Sequence, residues 1–129
     1  MAEAPGGASV RSERTGDVAV VYAGDYLNKL SGERIEHVCR EHLRAGARAL
    51  IVDFKETGMV NSIGVSILLG VIDLAERAGA RLVFAGASGQ TAQLFDLLGL
   101  TRHVTLAPDR HTALAALAHS NADANTTNH

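Results

Sequence analysis

Ser62 is the side chain of this chain best placed to carry a chemical signal. It follows an apolar run, Ala49-Leu50-Ile51-Val52, a connecting segment, Asp53-Phe54-Lys55-Glu56-Thr57-Gly58, and then Met59-Val60-Asn61. Directly after it begins a long helical pattern, Ile63-Gly64-Val65 and onward. A phosphate esterified to that hydroxyl would bring about −1.5 to −2 charge at neutral pH. It would sit on unpaired N–H groups of the helix start, beside the positive end of the helix dipole. Ser and Asn are also the commonest helix caps, so Ser62 or Asn61 equally reads as a plain N-cap.

Other chemistries are incomplete. His37 lies one helical turn from both Glu33 and Glu41, but a metal centre needs three or four converging ligands. Cys39 falls on a different face, so the pattern is that of a solvated helix surface. Gly86-Ala87-Ser88-Gly89-Gln90-Thr91 resembles a phosphate-cradling loop without the Walker lysine. It also lacks the glycine spacing of a nucleophile elbow, which leaves an N-capped turn. Asp53 is placed as a phosphoacceptor aspartate would be. The supporting groups are missing, since the lysines are Lys29 and Lys55 and the early acids Asp17 and Asp25 are not adjacent. The chain therefore reads as a non-enzyme with no metal and no cofactor.

Composition narrows the class further. With 129 residues, 47% of them apolar, the chain suits one folded domain with a sizeable core. Twelve basic against 14 acidic residues give a net charge of −2. Without a basic stripe, nucleic acid is not expected as a partner. No apolar run approaches the ~18 residues of a membrane span, and the start of the chain lacks a signal-peptide pattern. Cys39 is the single cysteine, which excludes an internal disulfide. These features predict a cytoplasmic protein without a membrane association. Cys39 shares a helical stripe with apolar residues and reads as a buried small hydrophobe.

The elements that must position Ser62 follow from the hydrophobic periods. Residues 1–9 read as a flexible arm and residues 119–129 as a disordered tail, flanking a domain over 10–118. Residues 10–14 form a short strand that turns at Thr15-Gly16-Asp17 into the strand Val18–Tyr22. A helix capped by Ser31 runs to about Ala45 on the stripe Ile35, Val38, Cys39, Leu43. Ala49–Phe54 is a strand buried on both faces. The Ser62 helix runs to about Ala78 and is apolar nearly all round in its first two turns. Arg81–Ala85 is a strand, Ser88 opens a helix closed by Gly99, residues 104–106 form a strand, and Pro108-Asp109 opens a last helix. Repeated helix–strand units after two strands predict a mixed sheet with parallel crossovers.

In this order the motifs resemble the STAS domain of bacterial anti-sigma factor antagonists. The matching stretches are Gly24-Asp25-Tyr26-Leu27, Val52-Asp53-Phe54, Asn61-Ser62-Ile63-Gly64-Val65, Leu69-Gly70, Gly79-Ala80-Arg81-Leu82-Val83-Phe84 and Leu94-Phe95-Asp96-Leu97-Leu98-Gly99-Leu100. They cover residues 10–118 in unbroken order. The resemblance implies an α/β fold: a small mixed sheet of four or five strands, with about four helices packed mainly on one side. It implies a binding module that engages an anti-sigma factor, itself a serine kinase of the GHKL ATPase type, and so frees a sigma factor. A PP2C-type phosphatase would restore the binding form. The family motif, typically Asp-Ser-Ser/Thr-Gly, places the phosphorylated hydroxyl at Ser62. This chain departs from it with Asn61 for the acidic residue, Ile63 for the second hydroxyl, and Leu27-Asn28 where an acidic residue is common.

The expected partner surface is Gly24, Asp25, Asn28, Met59, Val60, Asn61, Ser62, Ile63, Gly64 and Val65. An apolar patch around Ser62 would dock when the hydroxyl is free and be repelled when it is charged. The alternative is a STAS scaffold or constitutive antagonist without phosphorylation, which Asn61 and Ile63 favour. An apolar surface on a small domain also allows a weak homodimer.

Overall fold

The computed structural model describes residues 10–127, the side chains of 119–127 aside. Strands β1 (Ser12–Thr15) and β2 (Val18–Tyr22) form a hairpin. A two-residue strand β3 (Tyr26–Leu27) leads into α1 (Lys29–Arg44). Then come β4 (Ala49–Asp53), a second two-residue strand β5 (Met59–Val60), α2 (Ser62–Ala78) and β6 (Arg81–Ala85). The chain continues through α3 (Gly89–Leu97), a 3-10 turn (Leu100–Arg102), β7 (Thr105–Ala107) and α4 (Arg110–Thr127).

The main sheet has the order β1-β2-β4-β6-β7, with β2, β4, β6 and β7 parallel and β1 antiparallel at the edge. Each crossover steps the same way across the sheet. A constant right-handed crossover sense then places α1, α2 and α3 on one face. The side chains agree. Ala19, Val21, Leu50, Val52, Leu82 and Phe84 point to the face packed by Ile35 and Cys39 of α1, Val65, Leu68, Val71 and Ile72 of α2, and Phe95 of α3. Val20, Ile51, Val83 and Ala85 point the other way, onto Ala113 and Leu117 of α4. Phe54, Phe84 and Phe95 close the larger core as a mutual ring cluster with centroids 5.2–5.4 Å apart. Such pairs add about 0.5–1.5 kcal/mol each beyond area burial. Cys39 is fully buried, and desolvation, with Glu36 nearby, pushes its thiol up to about 12. No helix among the described residues is long and apolar enough to cross a membrane.

The secondary-structure elements differ from the sequence reading in three places. The first helix is capped by Asn28, not Ser31, and starts earlier. Ser31 is instead the N3 member of a capping box: its N–H donates to Asn28 Oδ1, and its hydroxyl oxygen accepts the Asn28 N–H, both at 2.9 Å. The segment read as a disordered tail is helical as far as Thr127. Asp109 caps the Thr112 N–H and Ala113 and Leu117 anchor the first turns on the sheet, so the costly nucleus is formed and propagation follows. Residues 1–9, read as an arm, and the final two residues lie outside the described residues. The third difference is the β3–β5 ribbon, a separate parallel pair with Tyr26 opposite Met59 and Leu27 opposite Val60. Two residues are too few to show a period of two.

Candidate functional site: the start of helix α2

The loop between β4 and α2 is fixed by backbone bonds to the segment between β2 and α1. Gly58 and Met59 N–H groups both donate to the Asp25 carbonyl, at 3.0 and 3.2 Å. The Thr57 hydroxyl donates to the Gly24 carbonyl, and the Asn61 N–H donates to the Leu27 carbonyl at 2.8 Å. The β3–β5 ribbon thus delivers Asn61 to the head of α2 in a defined orientation. Asn61 is the cap: its Oδ1 accepts from the N–H of Ile63 at 2.7 Å and of Gly64 at 3.3 Å.

Ser62 is therefore the first helical residue, and it is exposed. Among the described residues its hydroxyl has no hydrogen-bond partner; its carbonyl accepts the Ser66 hydroxyl at 3.0 Å. This settles one ambiguity, because capping belongs to Asn61 and leaves the Ser62 oxygen free. It also corrects an expectation. A phosphate on Ser62 does not meet the N–H groups of Ile63 and Gly64 unpaired, since the Asn61 amide oxygen already holds both.

On the two segments that meet at the α2 start, large apolar side chains face water. Met59 is 62% exposed and Ile63 55%, with Tyr26 of β3 and Leu30 (54%) of α1 also exposed. Val60 is half-buried against the core. Sequence reasoning missed Tyr26 and Leu30. Leu30 falls outside the i, i+3, i+4 stripe of its helix, a signal that was available. Gly24 and Asp25 are exposed, and their backbone carbonyls tie the loop.

Three residues assigned to the partner surface belong to the scaffold. Val65 is 0% exposed and sits in the core, because a helix that packs on a sheet turns its fourth residue inward. Gly64 is buried in the α1–α2 contact, where an added Cβ would come within 2.9 Å of the Asn28 Cα, N and O atoms. Only glycine permits that approach. Asn28 is half-buried, its side chain engaged in capping α1 and its backbone forming the seat for Gly64.

Among the described residues no group of three or more His, Cys, Asp or Glu converges to hold a metal. Nor, among those residues, does the α2 start hold a base or acid beside the Ser62 oxygen to activate it. The α2 start thus carries an exposed hydroxyl on a small α/β fold. Residues 9–113 match the family model of the STAS domain, and the chain belongs to that family. Solved structures agree on the fold. The anti-sigma factor antagonist SpoIIAA in its unphosphorylated form superposes with a TM-score of 0.72 at 19% identity, over 86% of this chain and 97% of that one. The Bacillus cell fate determinant SpoIIAA in the phosphorylated form gives 0.67 at 20% identity, over 84% and 99%. A serine-to-glutamate variant of RsbS from Moorella thermoacetica gives 0.76 at 20% identity, over 87% and 97%.

Proposed function

We propose that this protein is an anti-sigma factor antagonist that acts by binding, and that phosphorylation of Ser62 switches the binding off. The observation that carries this reading is an exposed, unengaged hydroxyl at a helix start where Met59 and Ile63 on its own segment, and Tyr26 and Leu30 on the segment paired with it, are also exposed. Apolar clusters of this kind mark docking surfaces. In the cytoplasm an anti-sigma factor of the GHKL kinase type covers this surface and releases its sigma factor. The same partner phosphorylates Ser62, and a PP2C-type phosphatase reverses it. SpoIIAA, which shares the fold, is known in both unphosphorylated and phosphorylated forms.

The energetics favour a sharp response. Docking over a phosphoserine would bury a charge without a partner, at about 3–5 kcal/mol. A micromolar complex is held by about 8 kcal/mol, so that penalty removes most of its occupancy. Gly24, Asp25 and the half-exposed Val60 and Asn61 extend the docking surface.

A second reading, a STAS scaffold or constitutive antagonist, draws on the Asn61 cap. By holding the Ile63 and Gly64 N–H groups it leaves a phosphate fewer donors to settle on. One experiment separates the two. The chain carrying Ser62→Ala or Ser62→Glu is used as bait, and retained proteins are identified by mass spectrometry. The intact mass of the wild type is measured after incubation with the retained kinase and ATP. Retention of a kinase-type ATPase by the alanine bait only, with gain of about 80 Da on the wild type, supports the switch. Equal retention on both baits without that mass gain establishes the constitutive reading.

A further inference from the structure

A trough crosses the C-terminal ends of β2 and β4 and reaches Gly24, Asp25 and Tyr26 at one end. It consists of two clefts of about 340 and 480 Å³ that share Arg11, Tyr22, Asp53 and Glu56. Asp53 forms the floor. It is only 6% exposed, yet it lines both clefts. Its Oδ1 accepts the Lys55 N–H at 2.9 Å, whereas its Oδ2 has no hydrogen-bond partner among the described residues. Buried carboxylate oxygens seldom stay unpaired, and one that faces a cleft calls for a donor from outside. Gly86 makes room for it: with φ at +73°, a Cβ there would stand 3.1 Å from Asp53 Oδ1.

On the rim of the larger cleft basic side chains outnumber the acids Glu56 and Asp109. Arg11, Lys55 and Arg110 line the larger cleft beside His111. Arg11 is stacked 4.2 Å from the centre of the Tyr22 ring, and Arg110 donates to the Tyr22 hydroxyl, so both guanidinium groups are held at the edge. Glu13 is engaged by the Tyr22 hydroxyl at 3.0 Å and Asp109 by the Thr112 N–H at 2.6 Å, whereas Glu56, on both clefts, and Asp25, on the smaller, add negative charge beside Asp53. A simple anion would meet the Asp53 carboxylate. A simple cation would meet the basic rim. A small molecule carrying both charges satisfies floor and rim together.

We propose that this trough binds a small zwitterion of the α-amino acid type, its ammonium group on Asp53 and its carboxylate between Arg11, Lys55 and Arg110. The smaller cleft touches Gly24, Asp25 and Tyr26 of the docking surface, but the two charged contacts fall on other residues, so the proposal stands whether or not Ser62 is phosphorylated. The full chain is titrated with the standard free α-amino acids at millimolar concentration and followed by amide NMR. Sodium acetate and ammonium chloride are run as separate arms. At least one amino acid saturably shifts the amides of Asp53, Lys55 and Gly86, and neither simple salt does. Asp53→Asn keeps an acceptor for the Lys55 N–H but loses the charge, and it weakens binding at least tenfold. Lys55→Met and Arg11→Met each weaken it by a smaller factor. Should Asp53→Asn fail to fold, those two rim variants decide the matter. The proposal is overturned if no amino acid shifts these amides, if acetate or ammonium alone shifts them equally, or if the variants bind as the wild type does.

Discussion

Helices α1 and α2 begin in the same way and end up in different roles. Each follows a two-residue strand, and those strands pair with each other. Each is capped by an asparagine, Asn28 or Asn61. The next positions correspond: Lys29 with Ser62, Leu30 with Ile63, and Ser31 with Gly64. Leu30 and Ile63, equivalent in this register, are exposed to nearly the same degree, at 54% and 55%. The third position separates the two starts. Ser31 reciprocates its cap and closes a box. Gly64 cannot reciprocate, and its missing side chain lets α2 press on the backbone of Asn28. One start is therefore locked by its own side chains and the other by its neighbour. At the second, Asn61 does the capping, and the exposed Ser62 hydroxyl has no hydrogen-bond partner among the described residues.

The largest expected effect comes from filling the close approach. Gly64→Leu forces a side chain into the Asn28 backbone. We expect a loss of about 3 kcal/mol or more, at the upper end of overpacking, measured by urea denaturation. Unchanged stability would mean that the contact is soft and would return Gly64 to the docking surface. The caps come next. Asn28→Ala breaks a reciprocal pair and Asn61→Ala a single acceptor, so both lie in the range of about 0.5–2 kcal/mol with Asn28→Ala the larger. The reverse order would remove the distinction between the two starts. Ser62→Ala sits at the bottom of the stability scale, within about 0.5 kcal/mol of wild type, because Asn61 does the capping.

A last test probes the far end of α1, where His42 Nε2 meets Ser12 Oγ at 2.8 Å. Desolvation, then the Arg14 charge, holds the His42 pKa below its ordinary value. The unfolded chain thus binds the proton more readily than the folded one. The resulting stability is complete above the unfolded histidine pKa of about 6.5 and is lost as pH falls through the folded value. Thermal unfolding followed from neutral to mildly acidic pH should show this decline, and His42→Gln should flatten it. The α2 start should be indifferent, since among the described residues no histidine borders it.

Much of this was legible in the residue order. The strands at Val18–Tyr22, Ala49–Asp53 and Arg81–Ala85 are apolar runs bounded by turns, and the extents of α2 and α3 follow from Ser62, Gly79, Ser88 and Gly99. Burial of Cys39 followed from its stripe. The ribbon of β3 and β5 was not legible, because its pairing is between segments more than 30 residues apart and neither has a local signature. The continuation of α4 past residue 118 was hidden for a related reason. Its polar composition argues against helix, and the anchoring that seeds it lies upstream on the sheet.

The sequence by itself determined the order of elements, the parallel crossovers and the presence of Ser62 at a helix start, because those depend on local period, capping chemistry and turn residues. Tertiary structure alone decided which residue caps α2, that Gly64 and Val65 face inward, that Leu30 and Tyr26 join Met59 and Ile63 outside, and that Asp53 lies under a basic rim. Such facts depend on which backbones approach one another across the fold, and hydrophobic periodicity carries no information about the distance between two helix starts.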